Sequence, residues 1–142
     1  DGAALAFGSG VPTEPADPFA GIAAAMTRTD AQGNPPGGWQ PEQKLDFVQA
    51  LRAYTWGAAY AGFAEKQFGN LAPGQSADFL IIDRDISQVP PRDIAGTQVL
   101  DVWIGGKPAL SAPIPSATAK APDADQPPQV DGPPLPDAPD QD

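Results

Sequence analysis

The stretch Ala3-Ala4-Leu5-Ala6-Phe7-Gly8-Ser9-Gly10 decides how the rest of the chain is read. Its first five residues are apolar without interruption. That is the pattern of a strand covered on both faces, as in a parallel sheet enclosed by helices, and not the alternation of a half-exposed strand. Small residues end the run, and Pro12, Pro15 and Pro18 make the next segment a loop.

Moving outward, Asp17-Pro18 marks a helix start. Asp17 takes the N-cap and Pro18 the first helical position, with Phe19, Ile22, Ala23 and Met26 following on one face. Gly33-Asn34-Pro35-Pro36-Gly37-Gly38 is a loop. Pro41-Glu42 predicts the opening of a second helix, in which Leu45, Val48 and Leu51 keep near-helical spacing with Phe47 and Tyr54 alongside. Thr55 predicts the cap of a third helix that ends at Gly69. Its Trp56, Ala59, Tyr60 and Phe63 recur at the period of a face packed on a core. The period then changes. Ala77 to Asp83 and Val99 to Ile104 read as strands, and Gly105-Gly106-Lys107 reads as a hairpin turn. The expected order is one strand, three helices and at least two strands, an α/β chain.

Composition bounds the chemistry. The 142 residues contain no cysteine and no histidine, so a disulfide, a thiolate site, a Ser-His-Asp triad and a histidine-held zinc are all impossible within this chain. Ser9 as a nucleophile therefore lacks its base. The formal charge of −10 disfavours nucleic acid and anionic membrane surfaces as partners. No apolar run approaches the roughly 20 residues of a membrane span. Asp1 stands first rather than Met, and no compartment can be read from these residues. Gly8-Ser9-Gly10 reads as a turn and not a phosphate cradle, since no lysine follows in the required place.

From Pro113 to Asp142 the chain holds nine prolines, six aspartates and the single base Lys120. Such a segment has too little apolar area to offset the entropy of ordering, and a disordered, partly polyproline II tail is expected.

Read in order, Leu5 to Pro12, Asp17-Pro18-Phe19, Ala25 to Arg28, Ala50 to Thr55, Gly57 to Tyr60, Gly69-Asn70-Leu71-Ala72-Pro73-Gly74-Gln75-Ser76-Ala77-Asp78-Phe79 and Gly105-Gly106-Lys107 resemble the C-terminal end of amidohydrolase family 3 enzymes. These are metal-dependent hydrolases of the amidohydrolase superfamily, akin to N-substituted formamide deformylase and D-aminoacylase. The resemblance covers roughly residues 3 to 110. It implies that residues 1–68 are the end of a (β/α)8 barrel, with residues 3 to 10 as its eighth strand and covering helices after it. Residues 69–112 would be strands of a small composite β-sandwich, and residues 113–142 the tail.

The implied activity is hydrolysis of a non-peptide carbon–nitrogen bond, in an amide, formamide or N-acyl compound. The implied partners are the remainder of the barrel and, in the parent, a small-molecule amide substrate. The divalent metal, zinc by expectation, would be held by residues of the parent, with no cofactor and no metal ligand in this chain. Ser9, Gly10, Val11 and Pro12 would line the parent's pocket. In the family motif Gly-Ser-Asp-x-Pro, the Asp contacts the metal and takes a proton from the attacking water. Gly10 stands at that position here and can do neither. The isolated chain is thus expected to be inactive. A reading from another class is a non-catalytic α+β module that displays the acidic Pro-rich tail to a partner.

Four smaller expectations complete the reading. Arg28 and Arg52 are expected to form surface ion pairs. Trp56, Tyr60 and Phe63 are expected against a core. Asp78 is expected to order the turn at Pro73-Gly74 by accepting backbone hydrogen bonds. Residues 1 to 112 in isolation are expected to pack loosely, with 41 to 64 as the most persistent helix pair.

Overall fold

The computed structural model describes residues 2–110. The expected tail, from Pro113 to Asp142, lies outside the described residues. Helix α1 spans Pro18–Thr27, and its start is as the sequence predicts. The Asp17 carboxylate accepts the Phe19 N–H at 2.8 Å, and Pro18 occupies the first turn, where its missing N–H costs nothing. The helix ends at Arg28, whose left-handed backbone lets its N–H reach the Ala24 carbonyl.

The second and third expected helices are one helical rod. Pro41–Gln43 forms only a 3-10 turn. Helix α2, Phe47–Arg52, begins at Asp46 instead, with a reciprocal capping box: Gln49 N–H donates to Asp46 Oδ1 at 2.7 Å and Asp46 N–H donates to Gln49 Oε1 at 3.0 Å. No break follows. A π-turn over Ala53–Gly57 carries the rod into α3, Ala58–Ala61, which stops at Gly62. Thr55 caps nothing. Its hydroxyl donates back to the Leu51 carbonyl at 3.0 Å, the habit of a threonine inside a helix. Gly69, placed at the end of the third helix by the sequence, lies beyond it at φ +98° against Ala59 and Trp56.

The three strands β1 (Phe79–Ile82), β2 (Val99–Ile104) and β3 (Lys107–Leu110) form an antiparallel sheet in the order β1-β2-β3. Phe79 pairs with Trp103 and Leu80 with Val102, and the Phe79 and Trp103 rings stack at 5.6 Å. The hairpin turn is the expected Gly105-Gly106, with both residues at positive φ. Asp78 acts on this turn and not on Pro73-Gly74. Its carboxylate accepts the Gly105 N–H and the Ser76 hydroxyl, each at 2.7 Å, and these bonds hold its pKa below the ordinary value.

The core joins helices to the far end of the chain. Phe19, Ile22 and Ala23 of α1 pack with Ala50, Ile86, Ile94 and Val99, and a 3-10 turn over Pro91–Gly96 lies along α1. The aromatic face expected on a core is not there: Tyr60 is half exposed and Phe63 is 91% exposed. Alanines and a glycine (Ala50, Ala53, Gly57, Ala59) form the buried side of the rod, so its bulky residues are left outward. The two arginines likewise take aromatic partners in place of acids. Arg28 lies 4.9 Å from the centre of the Trp39 ring, and Arg52 lies 4.2 Å from that of Trp56.

Among the described residues the ion pair is Arg84 with Asp83, at 2.6 Å. The Arg84 hydrogen bonds, followed by the Gln98 N–H, bring the Asp83 pKa from 3.8 to about 2. A carboxylate depressed in the folded state stabilises it above the unfolded value, and that stabilisation disappears as pH falls through about 2. In a carbon-13 titration of the side-chain carboxyl, Arg84→Gln should move the Asp83 midpoint up toward 3.8. An unmoved midpoint would show that the backbone donor alone sets it.

Candidate functional site

The segment Ala3–Phe7 is not a strand in this chain. It has no ladder on either side among the described residues, and its one backbone tie is Phe7 N–H to the Ala53 carbonyl, 3.0 Å. A strand needs a neighbour to complete its hydrogen bonds, and apolarity alone does not supply one. The segment crosses the rod at the π-turn. There the Leu5 carbonyl sits so close to Gly57 that a β-carbon would collide with it. Ala3, Ala4 and Ala6 are exposed, and Leu5 is 47% exposed.

Beyond Phe7 the chain turns at Gly10, φ +70°, whose carbonyl accepts the Thr13 N–H at 3.0 Å and the Glu14 N–H at 3.4 Å. The Val11–Pro12 peptide is cis. A cleft of about 250 Å³ opens behind the turn, bordered by Ser9, Glu14, Asp17, Gly21 and Tyr54. Of the four residues expected to line a pocket, Ser9 is half-buried and borders this cleft, whereas Gly10, Val11 and Pro12 stand exposed on the turn itself. A β-carbon at Gly10 would meet no atom within 4 Å. The cleft brings in Glu14 and Gly21, to which no motif pointed, and Tyr54, which stands in the Ala50 to Thr55 run of the resemblance and beside the apolar stripe of the second helix but had no site role there. Gly21 had only its oddness inside a helix.

Electrostatically the cleft is acidic on one wall. Burial raises the Tyr54 pKa above 10, and the neighbouring Asp17 charge raises it further. The phenol is therefore a proton-bearing donor throughout the neutral range. Asp17 is engaged as the cap of α1.

The residues present do not fit a metal centre. The chain has no histidine or cysteine, and among the described residues no group of three or more acids is placed to hold a cation. No step through a metal is derived from these residues. A second, larger groove of about 760 Å³ runs between the rod and β1, walled mainly by apolar side chains that include Phe19, Leu51, Phe68, Phe79 and Leu80.

Comparison with known proteins gives the site its setting. The chain is 33% identical over 105 residues to "Protein LONG AFTER FAR-RED 3" of Arabidopsis thaliana, covering 74% of this chain and 18% of that protein. It is 29% identical over 106 residues to "Putative amidohydrolase YtcJ" of Bacillus subtilis, covering 75% of this chain and 20% of that one. It thus spans about a fifth of the length of the curated relatives it matches. No solved structure matches it. The sequence profile of the amidohydrolase family matches residues 1–110, the whole described body with its sheet, helices and Gly10 turn, and the chain belongs to that family.

Proposed function

We propose that this chain is the closing segment of a hydrolase that cleaves carbon–nitrogen bonds in amides, formamides or N-acyl compounds, of the N-substituted formamide deformylase and D-aminoacylase kind. In this reading residues 3 to 10 complete a (β/α)8 barrel as its last strand. Residues up to 68 cover that barrel, and 69–112 add strands to a β-sandwich shared with the rest of the protein. The divalent metal, zinc in this proposal, is held by residues outside this chain, and the substrate is a small molecule. What this chain supplies is scaffold and the Gly8–Asp17 loop beside the pocket.

The observation that carries the reading is the uncovered apolar segment at Ala3–Ala6. A soluble surface has no use for such a run with open backbone groups, whereas an enclosing sheet does. The exposed Tyr60 and Phe63 on the rod, and the one-fifth coverage of the relatives, point the same way.

The test is made on the gene. The open frame should continue upstream of Asp1 and encode a His-x-His strand, and the protein so encoded should release amine from N-formyl or N-acyl substrates once an acid stands at position 10. The 142-residue chain alone should show no turnover and no cooperative melt. A start codon immediately before Asp1, or sharp melting and dispersed amide resonances for the isolated chain, would overturn the proposal.

A further inference from the structure

Gly21 is an odd residue where it stands. Inside α1, glycine is less favourable than alanine because it loses more backbone freedom on folding, and no turn requires it there. The reason lies across the cleft. A β-carbon at 21 would collide with the Tyr54 hydroxyl and lie 2.9 Å from Tyr54 Cζ and 3.3 Å from Cε2. The phenol therefore rests on the bare α-carbon, an approach that only glycine permits.

The same ring makes a second contact. Its edge meets Phe7, with centroids 5.4 Å apart and planes at 72°. Asp17 is near enough for its charge to act on the hydroxyl. Tyr54 thus touches the chain just before the Gly8–Ala16 loop, at Phe7, and just after it, at Gly21. The loop spans two points that one side chain holds.

We propose that Tyr54 is a positioning residue: by clamping Phe7 to the first turns of α1 over Gly21, it sets the direction in which Ser9 and residue 10 face the pocket. The consequence for turnover rests on the hydrolase reading given above. The clamp itself does not.

Hydrogen exchange by mass spectrometry on the full-length protein separates the two. Gly21→Ala and Tyr54→Leu should each raise exchange in peptides covering residues 7 to 17 by about tenfold, because Thr13 and Glu14 lose the turn that protects their amides. Peptides covering 91 to 104 should not change. Tyr54→Phe keeps the ring on Phe7 and should fall between. Combined with Gly21→Ala, Tyr54→Phe should restore part of the protection, since the colliding hydroxyl is then gone, a coupling that general loss of packing does not produce.

With an acid at position 10, the same variants should lower kcat several-fold more than they raise KM, because the base they misaim acts in the transition state. Unchanged loop exchange in Gly21→Ala, or an equal rise in the 91 to 104 peptides, would overturn the clamp. Altered loop exchange in a protein that hydrolyses none of the substrates would uphold the clamp and sink the hydrolase reading.

Discussion

Gly10→Asp in the full-length hydrolase proposed above is expected to raise the rate of carbon–nitrogen hydrolysis by about 10²- to 10⁴-fold, the usual worth of one well-placed general base. The structure makes the substitution tolerable. No atom lies within 4 Å of a β-carbon at that position, and φ +70° falls in the left-handed region that aspartate accepts better than most residues. Gly10→Asn has the same backbone tolerance and nearly the same volume without a proton acceptor of the right basicity, so it should leave the rate near that of the natural protein. An equal gain from Asn would assign the effect to loop rigidity. No gain from Asp would remove position 10 from the chemistry altogether.

Ile94→Ala in the same full-length protein should lower the free energy of unfolding by about 2–5 kcal/mol, read from the denaturant midpoint with the slope unchanged. Ile94 is fully buried at 0% exposure and sits in the turn that packs along α1, among Phe19, Ile22 and Val99. Those neighbours come from α1 and β2, each held by its own backbone bonds, so they can collapse only partly into the space left behind. Ile94→Val should cost only about 0.5–1.5 kcal/mol. A cost below about 1 kcal/mol for alanine would mean that this cluster is not the core of the folded protein.

Helix starts were legible where the signal is local. Asp17-Pro18 needs only its own side chain and the next two residues, and the structure places the cap there. The Pro41-Glu42 start was misleading for the same kind of reason. A proline followed by an acid fits any first turn, including a 3-10 turn that goes no further, and the decisive Asp46 and Gln49 pair is spread over three residues between apolar ones. Thr55 carries the residue type of a cap, but a hydroxyl can equally satisfy itself on the preceding turn, and inside a continuous rod that is what it does. The candidate site divides in the same way. Ser9 to Pro12 could be found from an ordered motif, whereas the Tyr54 and Gly21 contact joins residues that are remote in sequence and has no local signature.

Sequence alone determined the positions of β1, β2 and the glycine hairpin that follows β2. It also determined the absence of histidine and cysteine chemistry and the family, because each depends on residue type, short spacing or motif order. Tertiary structure alone decided that the rod is unbroken and that its small residues face inward. It likewise decided that Ala3–Phe7 runs uncovered over Gly57 and that a phenol replaces the missing β-carbon of Gly21. These outcomes depend on which surfaces meet. That is set by the shape and hydrogen-bonding needs of distant partners, which a pattern along one chain does not encode.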